Sequence, residues 1–317
     1  MTDVPPTGLT TPAEDAGRYR ILAVLTRWAR RAERRSPKVD RALLAMALVM
    51  FVGGSITAYL ALPAFTPHRM WPLLVAAAAG FSLLTLAING AEFAVSAAIL
   101  GTPLAATEAF RVSVIASAAN LFPLPAAALV HTRALHQKGH GYRRSFAITI
   151  AVGVSWVSMA FVLTGLTLLR RESLLGGVLA SIGAAGWALT LLLLSSGRIR
   201  IEALRALRLI LLVEVGSVGC TALRLFVVLQ ILGVRPTLAQ AFALALAAVV
   251  AGAVSIFPAG LGLREALSAA IALLVGLPAS VGLLAAALDR VVLTAVLAIA
   301  SGILIAIKGR VETYGDP

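Results

Sequence analysis

The side chains best able to do chemistry stand in one short segment, Pro258-Ala-Gly-Leu-Gly-Leu-Arg264-Glu265, within a long apolar stretch. Ionisable groups among apolar neighbours are costly unless paired or hydrated, so Arg264 and Glu265 are predicted to serve substrate binding or coupling. A helix that begins near Gly262 would direct backbone N–H groups and its positive dipole end toward an anion such as a phosphate. Gly260 and Gly262 would let that anion approach the backbone. The alternative is that Glu265 only caps this helix.

Three further ionisable residues in apolar segments are candidates for the same chemistry. Asp289 and Arg290 lie about a dozen residues into the last apolar run, and Asp289 is a candidate for coupling or for an ion pair. Arg290 is the better phosphate ligand, because its planar guanidinium can hold two oxygens. The alternative is a structural ion pair between Arg290 and Glu265 or Glu214. Glu214, near one end of an earlier run, is a candidate for proton coupling.

The composition indicates that these residues belong to a membrane protein. The 317-residue chain is 60% hydrophobic and 13% charged, which is not typical of a soluble domain. Six apolar runs are each long enough to cross the hydrocarbon core of a bilayer. The fold class is predicted to be all-α, a polytopic helical membrane protein, with spans near residues 43–62, 71–100, 144–169, 174–195, 209–232 and 278–307.

The basic residues predict the orientation of the chain. Of the 27 Lys and Arg residues, 19 fall in the N-terminal segment and alternate loops, and 4 fall in the opposite loops. Because positively charged loops stay on the cytoplasmic side, both termini are predicted to be cytoplasmic. The same distribution argues against nucleic-acid binding as the reason for the net charge of +13.

Two matching segments predict an internal repeat. Ile99-Leu100-Gly101 and Ile231-Leu232-Gly233 are each followed, after seven residues, by Ala-Phe, and each copy then leads through small apolar residues to a Phe-Pro pair. Corresponding interrupted segments in two halves of a membrane protein indicate a transport or binding site.

The Phe-Pro breaks predict two helix–break–helix hairpins, over residues 103–136 and 237–275. The helix after the first break has about 11 positions, too few to cross a membrane, so each hairpin is predicted to be re-entrant. Counting crossings places Gly101 and Gly233 on opposite faces, and the repeats, about 70–170 and 208–307, are then related by inversion. Residues 42–310 form the predicted membrane domain, between a disordered and basic amphipathic segment, 1–41, and a tail, 311–317.

Several polar residues of the two repeats have two interpretations each. Glu92 and Arg224 stand nine residues before the glycines of their repeats, which suggests a salt bridge between the repeats; alternatively, each is buried against a different partner. Asn120 precedes the first break and either caps it or binds a headgroup. Glu108 and Arg111 are three residues apart and are predicted to pair on one helical face.

No catalytic residue, cofactor or metal site is predicted, and the chain is not expected to be an enzyme. Cys220 is the one cysteine, so the sequence provides no disulfide framework and no cysteine metal site. His131, His136 and His140 lie on a basic stretch without carboxylate or cysteine partners. The glycine pair in the second hairpin does not follow a strand, which argues against a nucleotide-binding loop.

The second half of the chain resembles the transmembrane domain of lysylphosphatidylglycerol synthases and their stand-alone flippase-like relatives. The family pattern P-x-G-x-G-x-x-E is matched by Pro258, Gly260, Gly262 and Glu265, and a following span is matched by Gly276-Leu277-Pro278 and Arg290. In the first half, Asn120-Leu-Phe-Pro123 is retained, but Ala127-Ala128 replaces the usual Gly-Glu. The resemblance covers roughly residues 43–307.

The resemblance implies a flippase or lipid-binding transporter, which moves anionic, aminoacylated or lipid-linked substrates between leaflets. The synthases add an aminoacyl-transferase domain that this sequence lacks, so aminoacylation is not expected. The expected partners are membrane lipids with anionic headgroups and a lipid-modifying enzyme; the oligomeric state stays open. One alternative is a membrane enzyme or enzyme subunit acting on a lipid or lipid-linked sugar. Another is a scaffold that anchors cytoplasmic enzymes through residues 1–41.

Overall fold

The computed structural model describes residues 70–120, 126–194, 202–254 and 262–313, together with positions 56 and 60. Within these residues the chain is helical and has no strand, which confirms the predicted all-α class. The described helices belong to one unit, residues 44–317. The predicted segment 1–41, both Phe-Pro breaks, and the predicted site residues Pro258 and Gly260 lie outside the described residues.

Nine helices of 12 to 35 residues run through the described ranges. The first is α1 (Trp71–Ile99), and the second and third, α2 (Ala106–Ala119) and α3 (Ala126–Gln137), flank the first break. The rest are α4 (Tyr142–Leu168), α5 (Ser173–Leu194), α6 (Glu202–Ile231), α7 (Leu238–Val254), α8 (Leu263–Leu274) and α9 (Ala279–Thr313).

Five of these helices are long and apolar enough to cross a membrane. They are α1, α4, α5, the Leu207–Ile231 part of α6 and the Ala279–Leu304 part of α9. These helices match five of the six spans predicted from the sequence, and the chain is a polytopic helical membrane protein. The sixth predicted span, 43–62, falls outside the described residues except at positions 56 and 60.

The helices beside the two breaks are shorter. At 1.5 Å per residue, α2, α3 and α8 extend about 18–21 Å and α7 about 25 Å, against about 30 Å for a hydrocarbon core. Helices of this length fit the predicted re-entrant hairpins. Because the turns between them lie outside the described residues, re-entry stays a prediction.

The corresponding helices α1 and α6 pack against each other in opposite directions. Trp71, at the start of α1, donates its Nε1–H to the carbonyl oxygen of Ile231 at the end of α6, with a distance of 3.3 Å. Near the middle, the Cys220 Sγ lies 3.1 Å from the Phe81 carbonyl oxygen. Since α1 and α6 carry the matching segments, their antiparallel packing supports the predicted inversion of the repeats.

The repeated sequence builds the same helix end twice. Gly101 and Gly233 both adopt a positive φ, 87° and 77°. The Thr102 N–H donates to the Ala97 carbonyl over 3.1 Å, and the Val234 N–H donates to the Leu229 carbonyl over 3.0 Å. This bond over five residues, past a glycine with positive φ, is the Schellman ending of a helix. Because α1 and α6 are antiparallel, these two ends lie at opposite ends of the helix pair.

A glycine brings α9 close to α8. A Cβ atom on Gly282 would clash with the backbone carbonyl of Ser268 and with the Ala272 side chain. Small residues allow such close contact between membrane helices. The approach holds α9 alongside α8, so that the fourth turn of α9 lies against the first turn of α8, where the predicted ionisable residues stand.

Candidate functional site

Two adjacent pairs of charged residues face each other across α8 and α9. Arg264 forms an ion pair with Asp289. The next residue of each helix forms a second pair, in which Arg290 Nε donates to Glu265 Oε1 over 3.0 Å. The order of charges is positive–negative on α8 and negative–positive on α9, so both contacts are attractive. Of the two partners predicted for Arg290 in an ion pair, Glu265 is the one observed.

A third arginine, from α6, completes the cluster. Both oxygens of Asp289 accept hydrogen bonds from Arg224, one from Nε and the other, over 3.1 Å, from Nη2. The remaining Arg224 nitrogen, Nη1, donates to the Thr85 hydroxyl of α1 over 3.0 Å. Asp289 is 0% exposed and Arg224 is 2% exposed. A bidentate contact of this kind fixes the orientation of both side chains.

Glu265 also caps its own helix. Its Oε2 accepts a hydrogen bond from the Gly262 N–H over 2.8 Å, and Gly262 has a φ of 78°. The capping role considered for Glu265 is therefore present, together with the ion pair to Arg290. One of the N–H groups expected to face a bound anion at this helix start is consequently already occupied. A role of Glu265 in substrate binding or coupling stays a prediction.

The cluster carries an excess of positive charge. Among the described residues it combines three guanidinium groups, of Arg224, Arg264 and Arg290, with the carboxylates of Asp289 and Glu265, so its formal charge is +1. The Arg264 Nε is buried and has no hydrogen-bond acceptor within the described part of the chain. An unsatisfied buried donor beside a net positive charge favours an anionic group that can accept from it.

The predicted salt bridge between Glu92 and Arg224 is wrong. Arg224 bonds to Asp289 and Thr85 instead, so for Arg224 the alternative, burial against a different partner, holds. The reason lies in the antiparallel packing of α1 and α6. When two corresponding helices run in opposite directions, residues at equivalent positions of the repeat lie opposite each other only near the point where the helices cross. Here that point is around Thr85 of α1 and Ser217 of α6. Positions 92 and 224 lie about 10 Å from the crossing, on opposite sides of it.

Glu92 instead belongs to a second polar cluster, with Glu214 of α6. Glu214 is 0% exposed, and its Oε1 accepts a hydrogen bond of 2.8 Å from the Ser155 hydroxyl of α4. Its Oε2 is buried and has no hydrogen-bond partner within the described residues. The Glu92 carboxyl group is close enough to act on Glu214 electrostatically. We call Glu92, Glu214 and Ser155 the carboxyl cluster. The arginine cluster consists of the five charged residues Arg224, Arg264, Glu265, Asp289 and Arg290.

The first hairpin contributes capping and surface contacts. The Asn120 Oδ1 accepts a hydrogen bond from the Ala127 N–H over 3.2 Å, so Asn120 spans the break and caps the start of α3. The predicted pair of Glu108 and Arg111 is wrong, because Glu108 pairs with Lys138 at 2.7 Å. Lys138 reaches Glu108 because α3 packs alongside α2. Residue spacing within α2 alone could not predict this contact.

The three histidines near α3 have separate partners. The His131 ring stacks on Phe93 with 4.7 Å between centroids, and His136 Nδ1 lies 2.7 Å from the His140 carbonyl oxygen. His140 Nε2 lies 2.8 Å from the Thr102 hydroxyl. Within the described ranges, no three His, Cys, Asp or Glu residues stand close enough to hold a metal ion.

Sequence reasoning missed the two hydroxyl residues of these clusters, Thr85 and Ser155. One signal was available for Thr85. It stands seven residues before Glu92, so both face the same side of α1, together with Ser82, Asn89 and Ser96 at helical spacing. Ser155 carries no comparable signal, because serines are also frequent in membrane helices that pack closely.

The comparisons with known proteins agree with this architecture. The family model of the lysylphosphatidylglycerol synthase TM region matches residues 39–301. The match includes every member of the arginine and carboxyl clusters. No curated protein matches the chain.

Proposed function

This chain belongs to the lysylphosphatidylglycerol synthase TM-region family, and we propose that it moves an anionic lipid between the leaflets of the membrane. The family indicates a function connected with membrane lipids. The proposal goes further, because it names translocation as the activity and a phosphate-bearing headgroup as the group recognised. The substrate class would include aminoacylated and lipid-linked products.

The arginine cluster is the observation that carries the proposal. It has an excess positive charge and an unsatisfied Arg264 Nε, and two of its three helices, α6 and α9, contain candidate membrane spans. Asp289 and Arg290 stand ten and eleven residues after Ala279, the first residue of the α9 span, which places them near mid-depth. A headgroup that leaves one leaflet for the other must pass this depth, where water does not stabilise its charge. The cluster would supply that stabilisation.

The inverted repeats support a mechanism of alternating access. All five members of the arginine cluster belong to the second repeat, and Thr85 of the first repeat contacts it through Arg224. The carboxyl cluster also joins both repeats, with Glu92 and Ser155 in the first and Glu214 in the second. In the mechanism that we propose, one repeat rocks against the other, and these two contacts change. Movement would be downhill or coupled to protons carried by Glu92 and Glu214.

Further parts of the proposal concern location and chemistry. The family favours the inner membrane of a bacterium as the location, and the basic loops favour both termini in the cytoplasm. We do not propose an enzyme, since Asp289 and Glu265, which could act as acids or bases, are held by arginines. A lipid-modifying enzyme would be the partner that supplies the substrate.

The test measures which lipids stay with the purified protein, by mass spectrometry of wild type and Arg264→Gln. Loss of a charge-assisted hydrogen bond should lower retention of phosphatidylglycerol about tenfold. The matched control is Arg111→Gln, an arginine of the first hairpin that is exposed and outside the cluster. In vesicles, translocation of tagged phosphatidylglycerol should fall with Arg264→Gln and not with Arg111→Gln. Equal lipid retention by all three proteins would contradict a selective site.

A further inference from the structure

A cavity of about 230 Å³ lies among α4, α5, α7 and α8, beside the arginine cluster but lined by other residues. Its walls include Phe161 of α4, Leu179 of α5 and Ala247 of α7. Along α8 it is lined by Leu267 and Ile271. None of the ionisable residues discussed above lines it.

The described lining of the cavity has no polar group to offer a ligand. Among these residues the one hydroxyl belongs to Thr164, and it donates to the Phe242 carbonyl oxygen over 3.0 Å. Water, a sugar or a charged group would lose its hydrogen bonds here without compensation. Apolar cavities of about 150 Å³ in other proteins stay dry and bind benzene. The cavity therefore suits a segment of hydrocarbon.

The cavity borders the bilayer. Two of its four helices, α4 and α5, are membrane spans. Leu274, which lines it at the end of α8, is 64% exposed. The medium around the exposed apolar surface of membrane helices consists of acyl chains. A hydrocarbon chain is thus the apolar ligand present at highest concentration at this opening.

The lining on α8 continues directly from the arginine cluster. Leu267 follows Arg264 by three residues, so the two side chains are neighbours on the helix surface. Ile271 and Leu274 follow at further intervals of four and three residues, and the three apolar side chains line the cavity in one strip. From Leu267 to Leu274 the helix rises about 10 Å. The strip leads from the charged end of α8 to the exposed end.

From this geometry we propose that the cavity binds a hydrocarbon chain of the lipid whose phosphate contacts Arg264. The inference rests on the proposed function for the headgroup, and it adds a second site with different chemistry. Affinity would then depend on the chain as well as on the charge. Because the chain leaves other hydrocarbon rather than water, the gain comes from closer van der Waals contacts in the cavity. Within the membrane, packing in a shaped cavity provides the selectivity.

The experiment uses phosphatidylglycerol with a photoreactive diazirine in one acyl chain. The full-length protein is reconstituted in vesicles of phosphatidylcholine, irradiated, and digested to locate the crosslinks. We expect crosslinks at Leu267, Ile271 and other lining residues, and we expect unlabelled phosphatidylglycerol to reduce them. Bulk lipid around the protein would instead label exposed residues such as Leu273, in proportion to its concentration and without saturation.

Two matched variants test the cavity itself. Leu267→Phe fills part of the cavity, whereas Leu273→Phe makes the same chemical change at a residue that is 63% exposed and outside the lining. Leu267→Phe should reduce crosslinking at the lining several-fold, and Leu273→Phe should leave it unchanged. Competition by unlabelled lipid in wild type needs no variant, so misfolding of Leu267→Phe does not decide the result.

The outcomes separate this proposal from the proposed function. Saturable crosslinks in the cavity with labelled phosphatidylcholine as well as phosphatidylglycerol would support the chain site and contradict selection of an anionic headgroup. Retention of phosphatidylglycerol that depends on Arg264, without crosslinks in the cavity, would support the headgroup site and overturn the chain site.

Discussion

The arginine cluster and the carboxyl cluster share α6 and both involve α1, through Thr85 and Glu92, and they differ in how completely their carboxylate oxygens are paired. Arg224 and Glu214 are ten residues apart on α6, about 15 Å. Every carboxylate oxygen of Asp289 and Glu265 has a donor. The Glu214 Oε2 has no donor within the described residues, and the neighbouring group of like sign, Glu92, adds repulsion.

This difference indicates two separate tasks. Carboxylates whose oxygens all have donors hold one arrangement, since any movement would leave a buried charge without its partner. The arginine cluster therefore fits a rigid binding element with a constant excess of positive charge. The Glu214 carboxyl group lacks a donor at one oxygen and has a neighbouring group of like sign, so within the described residues no ion pair holds it in one arrangement. The carboxyl cluster fits an element whose state can change during transport.

The largest effect is expected when Asp289 is removed. Asp289→Ala leaves Arg224 and Arg264 together in a buried site without their shared carboxylate. Breaking a buried ion pair from one side costs about 3–5 kcal/mol of folding free energy. Thermal unfolding in detergent should show this loss, with Glu214→Ala as the matched control in the carboxyl cluster. Equal loss in both variants would contradict the difference between the clusters.

A smaller effect is expected from enlarging the glycine that brings α9 to α8. Gly282→Ala places a methyl group against the Ser268 carbonyl, and overpacking of this kind costs about 1–3 kcal/mol. The methyl group should push α9 away from α8. This displacement should also separate the two ion pairs between these helices and lower retention of phosphatidylglycerol. Gly219→Ala is the matched control on α6, because a Cβ there meets no atom within 4 Å. Lipid retention by Gly282→Ala equal to that of Gly219→Ala would show that the close approach is unnecessary.

The smallest effect on folding stability is expected when two glutamates, Glu265 and Glu214, are each replaced by glutamine. Glu265→Gln removes the charge that pairs with Arg290 but keeps side-chain atoms that can form hydrogen bonds, so it should cost about 1 kcal/mol. Glu214→Gln removes a charge without a partner and keeps an oxygen for the Ser155 hydroxyl, so stability should not fall. Unfolding of the two variants under identical conditions measures the difference.

The same pair of variants separates binding from coupling. Glu214→Gln should retain phosphatidylglycerol as wild type does, while translocation in vesicles no longer responds to a pH gradient. Glu265→Gln should retain less phosphatidylglycerol, and any translocation that remains should still respond to a pH gradient. A pH response in Glu214→Gln equal to that of wild type would remove the carboxyl cluster from the coupling mechanism.

Much of the fold could be predicted from apolar runs, and the repeat could be found from a few residues. The Ile-Leu-Gly pattern occurs in both halves because the same helix ending, with a glycine at positive φ, occurs twice. Arg264, Glu265, Asp289 and Arg290 were predicted from their charge within apolar segments, and the structure brings them together. Their pairing was open, because α8 and α9 meet in a register that sequence spacing does not specify.

The sequence by itself determined which segments cross the membrane and which buried charges exist, because both follow from the cost of placing polar groups in hydrocarbon. Tertiary structure alone decided which charges meet. The antiparallel packing of α1 and α6 placed Glu92 beside Glu214 and away from Arg224. The contact at Gly282 placed Asp289 where two arginines could share it. Side chains far apart in the chain become partners only when helix direction and register are fixed, and those depend on packing across the whole bundle.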